Sequence, residues 1–368
     1  MMIDHARDYA RAPGVADPMQ LDSVTPLLFW MRWLAHFCAP VFTLMAGVSA
    51  GLQSRGDTHP APWSWHLLSR GAVLVLMEFT IIHFAWTFSL VWPMRYAQVI
   101  WGIGVSMMVL GLLQRVRPTV RTALGVLIIA GHNMLDGWHP ITPTWLHWSW
   151  AVLHDRQVMP LWGDLTVRTS YPVLPMIGLV LAGDGLGRWL RDTPTALRRV
   201  WLVRGGVLCL SLFFILRVSN GYGDPHPALY TGSFPHDVMS MLNVTKYPMS
   251  LSFVCMTIGP ALLLLAWWNA HTPRWVAPLR TFGQVPMFMY IGHLYLLHAL
   301  MLLLALLVGY PFSAFDFRAR ITGLPEGFGI ALWQTIPVVL MMLVVLYPPA
   351  VWYARLRASK RTWVTRYL

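Results

Sequence analysis

Histidine is the side chain best suited to take and return a proton near neutral pH, and this sequence sets several where polar groups are unexpected. The opening stretch MMIDHARDYA gathers Asp4, His5, Arg7 and Asp8 into five residues. Asp4, His5 and Asp8 lie at i, i+1 and i+4, and one helical flank can carry all three. An imidazole beside carboxylates that could orient it suits general-base or nucleophilic work. In FWMRWLAHFCAP, Arg32 and His36 are four apart and share a face, with Pro40 one turn on as a kink. In VPMFMYIGHLYLLHALM, Tyr290 and His293 are three apart, as are Tyr295 and His298. LNVTKYPMSLSF places Lys246 at the mouth of a helix, with Pro248 in its first turn and Asn243 or Thr245 as its cap. Lys246 is one of two lysines in an arginine-rich chain, which hints at a need for an ammonium.

Each of these groups also has a plainer reading. Arg32 can snorkel to an interface. His36 and His293 can hydrogen-bond inside a bundle, and Lys246 can serve as an interface anchor. Glu78 and His83, in LMEFTIIHF, are five apart and do not share a face, and Glu78 can simply pair with a neighbouring helix. No HExxH, Walker loop, GxSxG or paired CxxC occurs. Cys38, Cys209 and Cys255 fall in apolar runs and read as packed thiols. His132, Asp136 and His139 in HNMLDGWH can be drawn as metal ligands, but such groups at an interface are usually solvated, and no metal is expected.

The elements that must position these groups are membrane helices. The chain has 368 residues, 56% hydrophobic and 11% charged, with a mean hydropathy of +0.53. Soluble domains carry about 25% charged residues, so this apolar surface needs lipid. The expected architecture is all-α, a polytopic bundle with about nine spans: 27–52, 70–92, 94–113, 119–135, 172–187, 200–218, 249–268, 280–309 and 329–354. The 172–187 segment is the weakest, being short, glycine-rich and closed by Asp184. The net charge of +12 sits in short loops and the tail. Arg55 and Arg70, then Arg115, Arg117 and Arg121, then Arg188 to Arg204, Arg274 and Arg280, and the basic tail 355–368 fall on one alternating side. The positive-inside rule makes that side cytoplasmic, with the C-terminus inside, and there is no nucleic-acid motif to compete with that reading. On this topology His5, His36, His293 and Lys246 share the outer half of the membrane, lining a polar cavity. Two long segments, 136–171 and 219–248, lie outside.

The segments HFCAPVFTLMAGVSAGL, NVTKYPMSLSFVCMTIGPALLLLAW and LRTFGQVPMFMYIGHLYLLH resemble the DUF1624 family of bacterial membrane proteins, which belongs with the catalytic region of heparan-alpha-glucosaminide N-acetyltransferase. The resemblance covers nearly the whole chain, residues 1–368, as one domain, with Met249 standing where the family commonly has a second proline. Family members usually begin with a longer first helix ending in DH-x-RD. Here DHARD is Asp4 to Asp8, so residues 1–9 read as the remnant of that helix. The resemblance implies a bacterial inner-membrane acyltransferase that moves an acetyl group from cytoplasmic acetyl-CoA, as co-substrate, to an extracytoplasmic glycan or lipid-linked amine or hydroxyl acceptor. With that activity, His5 is expected as general base or acyl carrier, held by Asp4 or Asp8. His36 and Lys246 line the site, and His293 is a second candidate base. Arg32, Asn243 and Tyr290 are the expected substrate-binding groups. The lipid bilayer and acyl-CoA are the expected partners, and a homo-oligomer is left open. The rival class is a transporter that uses the buried His, Asp and Lys groups to move protons or a small solute; the absence of an internal repeat weighs against it.

Overall fold

The computed structural model describes residues 1–10, 19–21, 23–54, 60–270 and 273–359. Arg55 and the tail residues Lys360, Arg361 and Arg366 of the expected topology lie outside them. The helices in chain order are α1 (Met2–Ala10), α2 (Pro26–His36), α3 (Cys38–Gln53), α4 (Pro60–Met77), α5 (His83–Thr87), α6 (Val99–Leu112), α7 (Pro118–Gly131), α8 (Thr144–Leu153), α9 (Leu174–Asp192), α10 (Thr195–Ser219), α11 (Phe234–Leu242), α12 (Leu251–Ala270), α13 (Ala277–Gln284), α14 (Pro286–Leu307) and α15 (Thr335–Ser359). A π-helical turn, Glu78–Ile82, joins α4 to α5.

Among the described residues, six helical stretches are long and apolar enough to cross a membrane: Pro26–Gln53, Pro62–Thr87, Thr195–Ser219, Leu251–Asn269, Pro286–Leu307 and Leu332–Ser359. They make the protein a multi-pass membrane protein and match six of the nine expected spans. The other three expected spans are helical too, but differ in kind. Helices α6 and α7 have 14 residues each, about 21 Å of rise against a hydrocarbon core of about 30 Å. Helix α9 has 19 residues but carries Asp184, Arg188, Arg191 and Asp192 in its second half. The first long span breaks at Phe37, between α2 and α3. Pro40 has no N–H for the His36 carbonyl and its ring crowds that turn.

The expected helical architecture holds, with one small addition of strand. A three-stranded sheet, order β1-β3-β2, is formed by β1 (Met94–Ala97), β2 (Val158–Trp162) and β3 (Leu165–Thr169). β1 runs parallel to β3 and β2 antiparallel to it. The expected span from 94 therefore begins as a strand. β2 and β3 are joined through Gly163 and Asp164, with Gly163 at φ +54°, the backbone that a two-residue hairpin turn demands. Pro160 is tolerated because β2 is an edge strand.

The chain divides into two compact units. The first comprises Met1–Ala35, Phe79–Pro93 and Thr272–Leu368. In it, α1 packs against α14 and α15. Val285, Met289, Leu346, Ala350 and Tyr353 form a core there, and Met2 of α1 packs against it. The second unit comprises His36–Glu78 and Met94–His271. Its central helix is α9, which packs against α3, α6 and α7.

Small residues make the α3–α9 contact close. Gly47 and Gly51 on α3, and Gly183 and Gly187 on α9, are each spaced by four. A Cβ added at Gly47 would stand 2.2 Å from the Val180 carbonyl oxygen, and one at Gly183 would stand 2.3 Å from that of Leu44. Apolar side chains gain little by leaving lipid for each other, so backbone-to-backbone approach of this kind is what holds membrane helices together.

The charges that deny α9 a simple span are neutralised inside the unit. Arg121 donates to Asp184 at 2.9 Å, with both side chains fully buried. Its other nitrogen, Nη1, donates to the carbonyls of Gln114 and Val116, beyond the end of α6. Glu78 is likewise structural. Its Oε2 accepts the Trp101 N–H at 2.8 Å and the carboxylate also takes the Ile100 N–H. Two of the unpaired amides at the start of α6 are thereby satisfied by a residue 23 positions upstream.

Candidate functional site

In the first unit, the α1 helix presents His5 to α14. His5 Nδ1 and His293 Nε2 are 2.7 Å apart, and the two rings are nearly parallel. His293 is buried, 1% exposed. Its other nitrogen, Nδ1, is 2.8 Å from the Met289 carbonyl, one turn back along α14. These two contacts fix the protons by valence. A carbonyl only accepts, so His293 Nδ1 carries a hydrogen. Neutral imidazole has one N–H, so His293 Nε2 holds a lone pair and accepts from His5 Nδ1–H. His5 Nε2 is then the basic nitrogen of the pair. This chain of Met289 carbonyl, His293 and His5 orients a base in the way an acid–histidine pair does elsewhere.

Aromatic rings frame the pair. Trp86 meets His5 edge-on at 4.9 Å, and Tyr290 lies 6.0 Å from His5 and 5.6 Å from His293 between ring centroids. Tyr9 stacks on Trp86 at 5.0 Å and donates its hydroxyl to the Ala85 carbonyl at 2.9 Å. His298 spans the Ala85 and Thr322 carbonyls at 2.9 and 2.8 Å, a structural use of its ring.

The acids of the opening motif meet arginines. Arg32 Nη1 reaches both oxygens of Asp4 at 2.6 and 2.8 Å. Arg7 reaches Asp4 at 2.7 Å and Asp8 at 2.6 Å. The sequence expectation gave His5 to Asp4 or Asp8; across helices the His5 ring donates to His293. On the same flank the arginines, with a permanent charge and forked donors, engage both carboxylates. So Asp4, His5, Asp8, Arg32, Tyr290 and His293 are placed in one unit, in two linked groups on α1.

His36, Asn243 and Lys246 belong to the second unit. His36 is buried against Phe253 at 5.2 Å. Lys246 lies 5.2 Å from the Tyr247 ring and 5.8 Å from that of Tyr171, a cation over two aromatic faces. The cap of α12 is Ser250, whose Oγ accepts the Phe253 N–H at 3.0 Å, instead of Asn243 or Thr245. Thr245 and Ser250 both donate to Asp224, at 2.8 and 2.7 Å.

Arg217 had no role in the sequence reading beyond a count of charges, and it organises the segment 219–248. Its guanidinium donates to the carbonyls of His226, Ser240, Met241 and Asn243 at 2.7–3.2 Å. A lone arginine at the polar end of an apolar helix, followed by a long glycine- and proline-rich loop, is the only sequence signal for it. Nearby, Asp237 accepts the backbone N–H groups of Thr231 at 2.7 Å and Gly232 at 3.1 Å. The Thr231 amide is the largest cause holding its carboxyl below the usual range.

The drawn ligand set of His132, Asp136 and His139 is also revised. His139 pairs with Asp155 at 3.0 Å, and His154 takes its place beside His132 and Asp136. Helix α8 decides this, because it brings the chain back to the end of α7 at His154.

No match was found among curated proteins or among solved structures. One family profile does match, over residues 19–217, more than half of the 368 residues. The matched stretch holds Arg32 and His36, while Asp4, His5, Asp8, Asn243, Lys246, Tyr290 and His293 lie on either side of it. With its membrane helices and this match, the chain belongs to the family described as heparan-alpha-glucosaminide N-acetyltransferase, catalytic.

Proposed function

We propose that the protein is a membrane acetyltransferase that takes an acetyl group from cytoplasmic acetyl-CoA and delivers it to an amine or hydroxyl of an extracytoplasmic glycan or lipid-linked acceptor. Family membership supports the reaction class and favours it over transport. The arginine-rich loops support a bacterial inner-membrane orientation with the C-terminus inside, and α6, α7 and α9 are included as crossings in the nine-span reading.

The observation that carries the proposal is the His5–His293 bond with the Met289 carbonyl behind it. In this tautomer His5 Nε2 is the ring nitrogen that carries no hydrogen. As the acceptor nitrogen or oxygen attacks the thioester carbonyl, its proton passes to His5 Nε2. The bond from acceptor to acetyl carbon forms, the carbon–sulfur bond breaks, and the proton goes to the departing CoA sulfur. While His5 is an imidazolium, its Nδ1–H bond to His293 becomes charge-assisted and strengthens. The Arg32–Asp4–Arg7–Asp8 group keeps α1 in place.

The test uses the purified chain in nanodiscs with acetyl-CoA radiolabelled in the acetyl group. Label transfer to glucosamine and label retained on the protein without acceptor are both measured, for the wild type and for His5→Ala, His293→Ala and His36→Ala. Transfer lost in His5→Ala without retained label supports His5 as base. Label retained by the wild type and lost in His5→Ala makes His5 the acyl carrier. Absence of any CoA binding by calorimetry refutes the acyltransferase reading and favours transport.

A further inference from the structure

His132 opens the short turn that follows α7, Asp136 ends it, and His154 follows the last turn of α8. One ligand atom from each of the three lies within 4.8 Å of the other two. Asp136 Oδ1 and His154 Nε2 are 3.4 Å apart. Two donors bound to one ion at about 2.0–2.1 Å in a tetrahedral arrangement are about 3.4 Å from each other. This pair already has the spacing of one edge of a metal site.

The surroundings hold the donors as a metal site would. Asn133 Nδ2 donates to Asp136 Oδ2 at 2.7 Å, leaving Oδ1 toward His154. Asn133 is itself fixed by the Leu251 N–H at 2.8 Å. Trp150 stacks on the His154 ring at 5.0 Å. His154 Nε2 also lies 3.1 Å from the His132 carbonyl, a contact that an ion would replace.

His132 supplies the independent observation. It is 2% exposed, and neither ring nitrogen makes a well-formed hydrogen bond. The Met249 carbonyl approaches it. A carbonyl can meet only the N–H of a neutral imidazole, so the other nitrogen is a buried lone pair with no donor facing it. That is costly unless something electropositive faces it. A carbonyl on one nitrogen and an ion on the other is how metal-binding imidazoles are oriented.

The geometry points to a divalent-metal site of the zinc class formed by His132, Asp136 and His154. Two imidazoles and one carboxylate suit zinc and leave a fourth position for water or another donor. This does not depend on the acyl-transfer reading, because all three residues are outside the His5–His293 pair and the test reads binding alone.

Untagged full-length protein in detergent is titrated with Co²⁺ and followed by visible absorption. One equivalent per chain is expected, with the intense bands of four- or five-coordinate cobalt, and with displacement by Zn²⁺. His132→Gln, Asp136→Asn and His154→Gln are each expected to abolish the bands. His139→Ala, at an exposed ring paired outside the cluster, is expected to keep them. Bands unchanged in the first three variants, or lost in His139→Ala, overturn the proposal. Should those variants fail to fold, X-ray absorption of the wild-type zinc complex decides: two imidazole ligands support the site, and none overturns it.

Discussion

Replacing His293 by alanine tests the division of labour in the His5–His293 pair. His5 would lose the acceptor that now sits 2.7 Å from its Nδ1. That bond is partly buried and becomes charge-assisted when His5 is an imidazolium, and such bonds contribute about 1.5–3 kcal/mol. At about 1.36 kcal/mol per decade of rate, kcat is expected to fall roughly 10- to 150-fold. His5→Ala, which removes the base itself, is expected to cost more, about 10²- to 10⁴-fold. The KM for acetyl-CoA should stay near the wild-type value in His293→Ala, because the loss falls on the transition state. His293→Gln keeps a side-chain acceptor and should recover part of the rate. The assay is radiolabel transfer from acetyl-CoA to glucosamine in nanodiscs. A His293→Ala enzyme with full activity would refute the orienting role. One as impaired as His5→Ala, with Gln giving no recovery, would make His293 the base.

Three further predictions concern the scaffold. Asp184→Ala strands the buried Arg121 guanidinium and should cost about 3–5 kcal/mol, read as a large fall in thermal midpoint by tryptophan fluorescence in detergent, with Asp184→Asn milder; an unchanged midpoint would contradict the pair. Gly183→Leu drives a side chain into the Leu44 carbonyl and should cost about 1–3 kcal/mol or more, whereas Gly131→Ala, where a Cβ meets nothing within 4 Å, should leave the midpoint in place. The Asp237 carboxyl is depressed in the folded chain, first by the Thr231 amide. Its support for the loop is therefore present above the ordinary carboxyl pKa of about 4 and is lost as pH falls through the folded value. Hydrogen exchange at Thr231 and Gly232, corrected for intrinsic rates, should lose protection below about pH 4 in the wild type, and Asp237→Asn should remove that pH dependence.

The membrane helices were legible because lipid imposes its demand locally. A run such as 286–307 must be apolar over its whole length, whatever it packs against, so composition alone reveals it. The pairing of His293 with the opening motif was legible only as a shared need for a partner. An i, i+3 or i, i+4 spacing lists candidates on one helix and is silent about another helix 288 residues away. That is why Asp4 and Asp8 were the expected partners of His5. The hairpin around Gly163 and Asp164 carried a readable turn signal, but its apolar strands resembled the surrounding interfacial segment, and strand pairing is non-local.

What the sequence by itself determined is the solvent of this protein and an inventory of polar groups that such a solvent makes costly: His5, His36, Glu78, Lys246 and His293. What only the tertiary structure decided is the partner of each. Asp184 went to Arg121, Glu78 to the amides that open α6, His5 to His293, and His154 to the His132–Asp136 turn. A buried charge or imidazole must be satisfied, but the free energy of satisfying it is similar for many partners, and close backbone packing such as that at Gly47 and Gly183 selects which one comes within reach.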